Sequence, residues 1–350
     1  MKGNLLLSVF ALFVLVGCIK KSPKNPEADI IQFRLNDSEI TGNTVIDESS
    51  RKIFIYLNTA AYANGVTPIV EISKGGTVSP ASGTHIDFDQ SVYYTVTSES
   101  GINKKTYEIV VVRIGEWVFN FEDWNVNADD QYEYPVEPNG IQVWSSGNPG
   151  SALAGVNHSP GSYPTRSTTD GLNGTLAAKM VTLPGTTLSA ILGIHLIPGS
   201  IFLGDFSLTN ALTDPLTATE FGQPYPGTPA RFTGYYKYTP GATFQDANGN
   251  PVASETDKCS IYAVFYNGTE RLNGANVNTS PNVIARAVLS NGNQTNGFVH
   301  FDIPFTYLPG VNVSEHVQVA IVASSSFEGD QYRGAVGSEL IIDSLRIIPN

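Results

Sequence analysis

From residue 115 onward the chain is a succession of short apolar runs broken by Gly, Asn and Pro, with no stretch of sustained helical periodicity. The runs EWVFNF, LAAKMVT, IFLGDFS, RFTGYYKY, CSIYAVFY, VIARAVL, GFVHFDI, VQVAIVA and ELIIDSLRII have the length and β-branched or aromatic content of strands. With 33 Gly, 21 Pro, 17 Phe and 16 Tyr, the composition is that of an all-β protein rich in turns. Many strands with no helices between them fit a double-sheet jelly-roll β-sandwich over residues 115–350.

A length of 350 residues favours about two domains. Residues 29–114 read as a smaller β domain, in which RKIFIYL places Ile53, Ile55 and Leu57 on one strand face. SVYYTVTSESGINKKTYEIVVV is two alternating runs around a polar, Gly-containing turn, a hairpin signal. Its ending resembles the last hairpin of bacterial immunoglobulin-like repeats in surface lipoproteins, where the module is a spacer. The expected architecture is therefore a small N-terminal immunoglobulin-like sandwich followed by a larger jelly roll.

Ahead of both, Lys2 precedes an apolar stretch from Leu5 to Gly17. It is shorter than the roughly 20 residues that span a bilayer, and it reads as a signal peptide over residues 1–17. Leu15-Val16-Gly17-Cys18 resembles the lipobox of bacterial lipoproteins, which implies that Cys18 is acylated. Acyl chains contribute about 0.8 kcal/mol per buried CH₂, enough for stable anchoring when several are attached. Residues 18–28 are then a lipidated tether of Lys, Pro and Asn character. This implies export and attachment to the outer membrane, with the cell-surface or periplasmic face left open, because Ile19, Lys20 and Lys21 stand where surface-directed chains often carry acids. With Cys18 lipidated, Cys259 stands alone, so no intramolecular disulfide forms. Cys259 alternates with Ile261, Ala263 and Phe265 and reads as a small buried hydrophobe.

Several function classes drop out. A net charge of −12 with 15% charged residues speaks against nucleic acid as a partner. Phosphate-binding loops, dinucleotide glycine patterns, C-x-x-C pairs, H-E-x-x-H helices and G-x-S-x-G elbows do not occur. His85, His158, His195, His300 and His316 are scattered, without metal-ligand spacing. Carboxylates remain, and a glycoside hydrolase needs two of them. The larger domain offers Glu122, Asp123, Asp129, Asp130, Glu133, Glu137, Asp205, Asp302, Glu328 and Asp330 among others, with no spacing that selects a pair.

Two stretches carry aromatic groups in exposed-looking settings. In RFTGYYKYTPG, Phe232, Gly234, Tyr236 and Tyr238 share one strand face, and Thr233, Tyr235 and Lys237 the other. A ring on the outer face can stack on a sugar; it can equally just cover the sheet. In WSSGNPGSAL, a Trp precedes a Ser/Gly/Asn/Pro segment that reads as strand at its first residue only and as no helix. Trp144 is either a sugar platform, with Ser145, Ser146 and Asn148 supplying hydrogen bonds, or a core plug before a tight turn.

FEDW, WSSGNPGSA, LAAKMVT, GSIFLGDF, FGQPYPGTPARFTGYYKYTPG and CSIYAVFYNG follow one another in this order. Together they resemble the carbohydrate metabolism domain (PCMD) of Bacteroidetes lipoproteins, over most of residues 117–350. The resemblance implies a jelly roll and a place in glycan handling, with outer-membrane carbohydrate-uptake proteins as partners. It brings forward Trp124, Trp144, Ser146, Asn148, Tyr235 and Lys237 as candidate carbohydrate-binding residues. Glu122 and Asp343, near the first and last strands, match the place where many carbohydrate-binding jelly rolls hold a structural Ca²⁺; the alternative is ordinary exposed or ion-paired carboxylates. Three functions stay open: glycan binding, preferred here; hydrolysis by a carboxylate pair; and a structural or adhesin-like surface role.

Overall fold

The computed structural model describes residues 23–48, 51–57, 59–88, 90–111, 117–137, 142–172, 175–225, 227–314 and 316–350. The leader, Cys18 and the 112–116 junction lie outside the described residues.

Residues 30–111 form an immunoglobulin-like sandwich. A two-stranded sheet pairs Ile30–Arg34 with Ile69–Ile72. A second sheet has the order Ile40–Asp47, Lys52–Leu57, Lys104–Val111, Val92–Thr97, Thr77–Ser79. The 92–97 and 104–111 strands form the hairpin that the alternation predicts, and the 52–57 strand runs parallel to the 104–111 strand. Ile53, Ile55 and Leu57 point together into a core with Phe33, Tyr94 and Tyr107.

Residues 118–349 form a two-sheet sandwich in which every described pairing is antiparallel. The larger sheet runs Leu272–Asn273, Thr219–Phe221, Ser200–Phe206, Val317–Ser324, Ser260–Asn267, Val283–Val288, Thr306–Tyr307, with Trp144–Ser146 beside Ser200–Phe206. The other runs Thr165–Thr168, Ala177–Val181, Glu339–Pro349, Pro229–Thr239, Val299–Pro304. All nine apolar runs singled out in the sequence contribute strands.

The alternation explains the core. Phe232, Tyr236 and Tyr238 turn inward from one sheet and meet Ile261, Ala263, Phe265 and Ile321 from the other. Each fully buried Phe, Leu or Ile stabilises by about 1.5–3 kcal/mol, and this interface holds many of them beside Tyr, Trp, Val and Ala. Cys259 is buried here, and burial pushes its thiol up to about 12, so it is inert packing. The opposite face of the larger sheet is also apolar: Val264, Tyr266 and Val322 are covered by Leu272 and Val277.

One segment corrects the sequence reading. Trp144–Ser146 is a strand along all three residues, and Asn148–Leu153 is a short helix. Pro149 sits in the first helical turn, where its missing N–H has no partner to lose. Only the residues further along must tolerate helix geometry, and Ser151, Ala152 and Leu153 do.

The two domains touch. Tyr56, on the small domain's 52–57 strand, is 6% exposed and belongs to the apolar cluster of the larger domain. Its hydroxyl accepts a hydrogen bond from Arg271 at 2.8 Å. The spacer reading of the small domain therefore leaves out this contact, which no local pattern announces.

Candidate functional site

The candidate sugar residues do not converge. Trp144 is 1% exposed, packed edge-on to Phe119 at 5.0 Å and tilted against Phe121 at 5.1 Å. Ser146 and Asn148 are buried too: the Asn148 amide donates to the Thr165 carbonyl at 2.7 Å and its oxygen accepts from the Thr165 N–H at 3.1 Å. Trp144, Ser146 and Asn148 are thus core and strut, which corrects the platform reading; a ring with no free face cannot stack on a ligand. Trp124 is half-buried and donates its indole N–H to the Phe121 carbonyl at 2.8 Å. Tyr235 and Lys237 do sit on the outer face of the smaller sheet. The Tyr235 ring lies 4.9 Å from that of His300, and the Lys237 ammonium is 2.6 Å from Asp170. They are on the other sheet from Trp144 and build no site with it.

Burial is the main cause that raises the proton affinity of Asp343, and the charge on Glu122 is the smallest. Both carboxylates are already used. Asp343 is 1% exposed and accepts from the Leu172 N–H at 2.8 Å and the Ser344 hydroxyl at 3.2 Å; Glu122 accepts from the Leu176 N–H at 3.1 Å. Ca²⁺ takes six to eight oxygens. Among the described residues no group of three His, Cys, Asp or Glu side chains stands close enough to hold a metal. The pair pins the turn between two strands and does not fit an ion cage.

Trp144 has a chemical neighbour of interest. Burial pushes the Glu137 carboxyl up to about 7; the Trp144 indole pulls the other way, and Asp123 adds to the rise. Among the described residues no acceptor stands at bonding distance from the Trp144 N–H. A carboxyl whose value is raised by folding favours the folded state while protonated, so its contribution is complete below about 4.5 and is lost as pH rises through about 7. After discounting for water access the change is on the order of 1–2 kcal/mol. Between pH 4.5 and pH 7.5 the wild-type melting temperature is expected to fall more than that of Glu137→Gln. Parallel curves for the two proteins would reject this assignment.

The cleft between the domains gathers the remaining chemistry. A cavity of about 250 Å³ opens there, lined by Val45 and Tyr56 of the small domain and by Asn210, Glu220, Arg271 and Gln318 of the large one, with Thr217, Thr269, Glu270 and Asn273 completing the wall. Its floor is set by strand register. Asp205 on Ser200–Phe206 stands directly opposite Glu220 on Thr219–Phe221, so the two side chains share one face with Cβ atoms about 4.5–5.5 Å apart. The strands can approach this closely because of Gly204, at φ +140, and Gly222, at φ +129. A Cβ on Gly222 would lie 1.9 Å from the Tyr266 hydroxyl, which donates to the Phe221 carbonyl at 2.6 Å.

Arg271 organises the floor. Its side chain is 12% exposed and is ion-paired to Asp205, which is half-exposed. It also donates to the Gly222 carbonyl at 3.0 Å and to the Tyr56 hydroxyl. Burial opposes its charge, but Asp205 and Tyr56 hold it protonated. Among the described residues no ion pair or hydrogen bond holds the Glu220 side chain in this way; burial raises its proton affinity, Arg271 pulls it down and Asp205 pushes it up again, with the rise winning. One carboxylate is therefore clamped to a cation, and its neighbour across the strands holds its proton more tightly than a free Glu. Asp205 was among the carboxylates noted in the sequence; Glu220, Arg271 and Tyr56 were not. Nothing short of the strand register could have paired them.

A two-domain, all-β chain with a polar interdomain cleft over paired carboxylates is the class defined so far. The Putative carbohydrate metabolism domain family matches residues 120–348, most of the chain, and the chain belongs to that family. Residues 30–111 match a second family, SGBP, N-terminal. A crystal structure from Bacteroides thetaiotaomicron, described as a putative glycoside hydrolase, is similar over 95% of this chain and 99% of that one, with 34% identity and a TM-score of 0.76. Another from Bacteroides vulgatus, described in the same words, covers 67% of this chain and 98% of its own, with 31% identity and a TM-score of 0.61. No curated protein sequence matches the chain at a significant level. Together these place the chain among carbohydrate-related proteins.

Proposed function

We propose that the chain binds the end of a glycan in the cleft between its two domains, as an exported lipoprotein anchored to the outer membrane through Cys18 and working beside carbohydrate-uptake proteins. The observation that carries the binding reading is the cleft itself: a cavity of about 250 Å³ that presents amide, hydroxyl and carboxylate side chains beside apolar surface. Pockets for drug-sized ligands measure about 300–1,000 Å³, so this one suits a single sugar unit at a chain end. Hydroxyl-rich ligands need such donors and acceptors, because each buried group must find a partner. Both matched families are carbohydrate-related, which supports the same reading. A purely structural or adhesin-like component, presenting a flat face, has no use for this cleft.

A glycan array probed with the soluble chain from Ile19, which lacks the lipidated Cys18, tests the binding. Thr269→Trp fills the cavity from its rim, and it is expected to weaken binding to the array glycan by tenfold or more, about 1.4 kcal/mol, with an unchanged melt. Equal affinity for the two proteins would place the ligand elsewhere. Anchoring has its own check: labelled palmitate incorporated by the wild type but retained in Cys18→Ala would rule out Cys18 as the acylated residue. A second reading, hydrolysis, is favoured by one specific observation, the opposed pair Asp205 and Glu220.

A further inference from the structure

The cleft contains more than binding requires. A site that only holds a sugar can do so with amides and hydroxyls, as Asn210, Thr217, Thr269 and Gln318 would. Two carboxylates facing one another at strand spacing repel, and a binding site gains nothing from that. The fold maintains the arrangement with two glycines in conformations that other residues rarely adopt and with a nearly buried arginine that crosses to the other domain. The two acids are also unlike. Asp205 is half-exposed and adjoins the cavity through two residues that line it, Arg271, to which it is ion-paired, and Glu220, opposite it in the register, whereas Glu220 lines the cavity itself.

We infer that Asp205 and Glu220 are a hydrolytic pair that removes a terminal sugar from a glycan held in this cleft, with Glu220 as the proton donor and Asp205 as the nucleophile. The inference rests on the glycan-binding reading above. Glycosidases that retain anomeric configuration place their carboxyl groups about 5–5.5 Å apart, and those that invert place them about 6.5–9.5 Å apart to admit a water. Side chains directly opposite on paired strands start from Cβ atoms about 4.5–5.5 Å apart, a spacing from which two carboxyl groups on one face reach the closer separation. In the first step an Asp205 oxygen bonds to the anomeric carbon while the bond from that carbon to the leaving oxygen breaks. Glu220 gives its proton to the leaving oxygen. Water then enters, Glu220 takes its proton, the water oxygen bonds to the anomeric carbon, and Asp205 departs as carboxylate. The sum is one glycosidic bond and one water consumed, with both acids restored. The raised proton affinity of Glu220 suits the donor role, and Arg271 acts as a positioning residue by fixing the Asp205 carboxylate.

The test uses the full mature chain with two probes: the array glycan, and a panel of 4-nitrophenyl α- and β-glycosides of hexoses and pentoses. The wild type is expected to release a terminal sugar whose anomeric configuration, followed by proton NMR, is retained. Glu220→Gln is expected to lose about 10²–10⁴-fold in turnover of the array glycan, with its dissociation constant changed less than threefold and its melt unchanged. Nitrophenyl leaving groups need little protonation, so the loss on that substrate should be smaller, a split that a merely structural Glu220 would not produce. Binding without any turnover by the wild type overturns this inference and leaves the binding reading standing. Absence of both binding and turnover overturns the binding reading itself. Full turnover by Glu220→Gln, or an inverted product, overturns the assignment of roles.

Discussion

Trp144→Ala is expected to destabilise the larger domain by about 3–5 kcal/mol, the cost found when a buried large aromatic is removed and its cavity does not close. The ring is 1% exposed and sits between Phe119 and Phe121 in the cluster where the two sheets meet. The strand of Trp144 is held by pairing opposite Leu203 and that of Phe119 by pairing opposite Leu345, which restrains both from sliding inward to fill the space. Edge-to-face contacts add about 0.5–1.5 kcal/mol per aromatic pair beyond area burial. One term runs the other way: among the described residues the indole N–H has no hydrogen-bond partner, and leaving a buried donor unpaired costs about 1–3 kcal/mol. Trp144→Phe removes that donor and keeps most of the ring, so its loss should stay below about 2 kcal/mol. Urea unfolding of the three proteins measures both differences. A loss under about 1 kcal/mol for Trp144→Ala would show that the ring is not a structural plug.

The fold was legible because β-structure writes its burial into the sequence with a period of two. RFTGYYKY could be divided into its two faces before any coordinates existed, and Phe232, Tyr236 and Tyr238 are buried while Tyr235 and Lys237 lie on the other face. The same logic located Cys259 and the hairpin of the small domain. It failed at Trp144, because a Trp before Ser and Gly reads the same whether the ring points into a sandwich or out of it. Depth depends on what stacks above, and Phe119 comes from a different strand and Phe121 from the segment that follows it. The candidate site was illegible for a related reason. Arg271 meets a hydroxyl 215 residues away in the other domain, and Asp205 meets Glu220 through register, not through any local pattern. The sequence supplied many carboxylates, and only the pairing of two short strands selects these. Glu122 and Asp343 show the converse. Their place near the first and last strands is read from chain position, yet the use each oxygen is put to, a turn's backbone N–H, depends on a loop whose path no pattern specifies.

Gly204→Ala is expected to cost about 3–5 kcal/mol and to disable the cleft together with the fold around it. At φ +140 an L side chain is strained before any neighbour is counted, and the Cβ it would add falls 1.8 Å from the Glu220 carbonyl oxygen, which belongs to backbone and cannot rotate away. Relief requires the Thr219–Phe221 strand to back off from Ser200–Phe206. That strand is three residues long and carries its next partner, Leu272–Asn273, at the sheet edge, so little resists the movement. Glu220 then leaves its position opposite Asp205, and Arg271, held to the Gly222 carbonyl, is drawn along. Stability and glycan affinity should therefore fall together, unlike in Glu220→Gln, where the fold is kept. Gly161→Ala is the matching control. It has open space around its Cβ and no positive φ, and it should change stability by no more than about 1 kcal/mol, in either direction. If Gly204→Ala melts within a degree or two of the wild type and still binds the array glycan, then the close approach of these two strands does not hold the cleft in shape, and the pairing of Asp205 with Glu220 loses its structural basis.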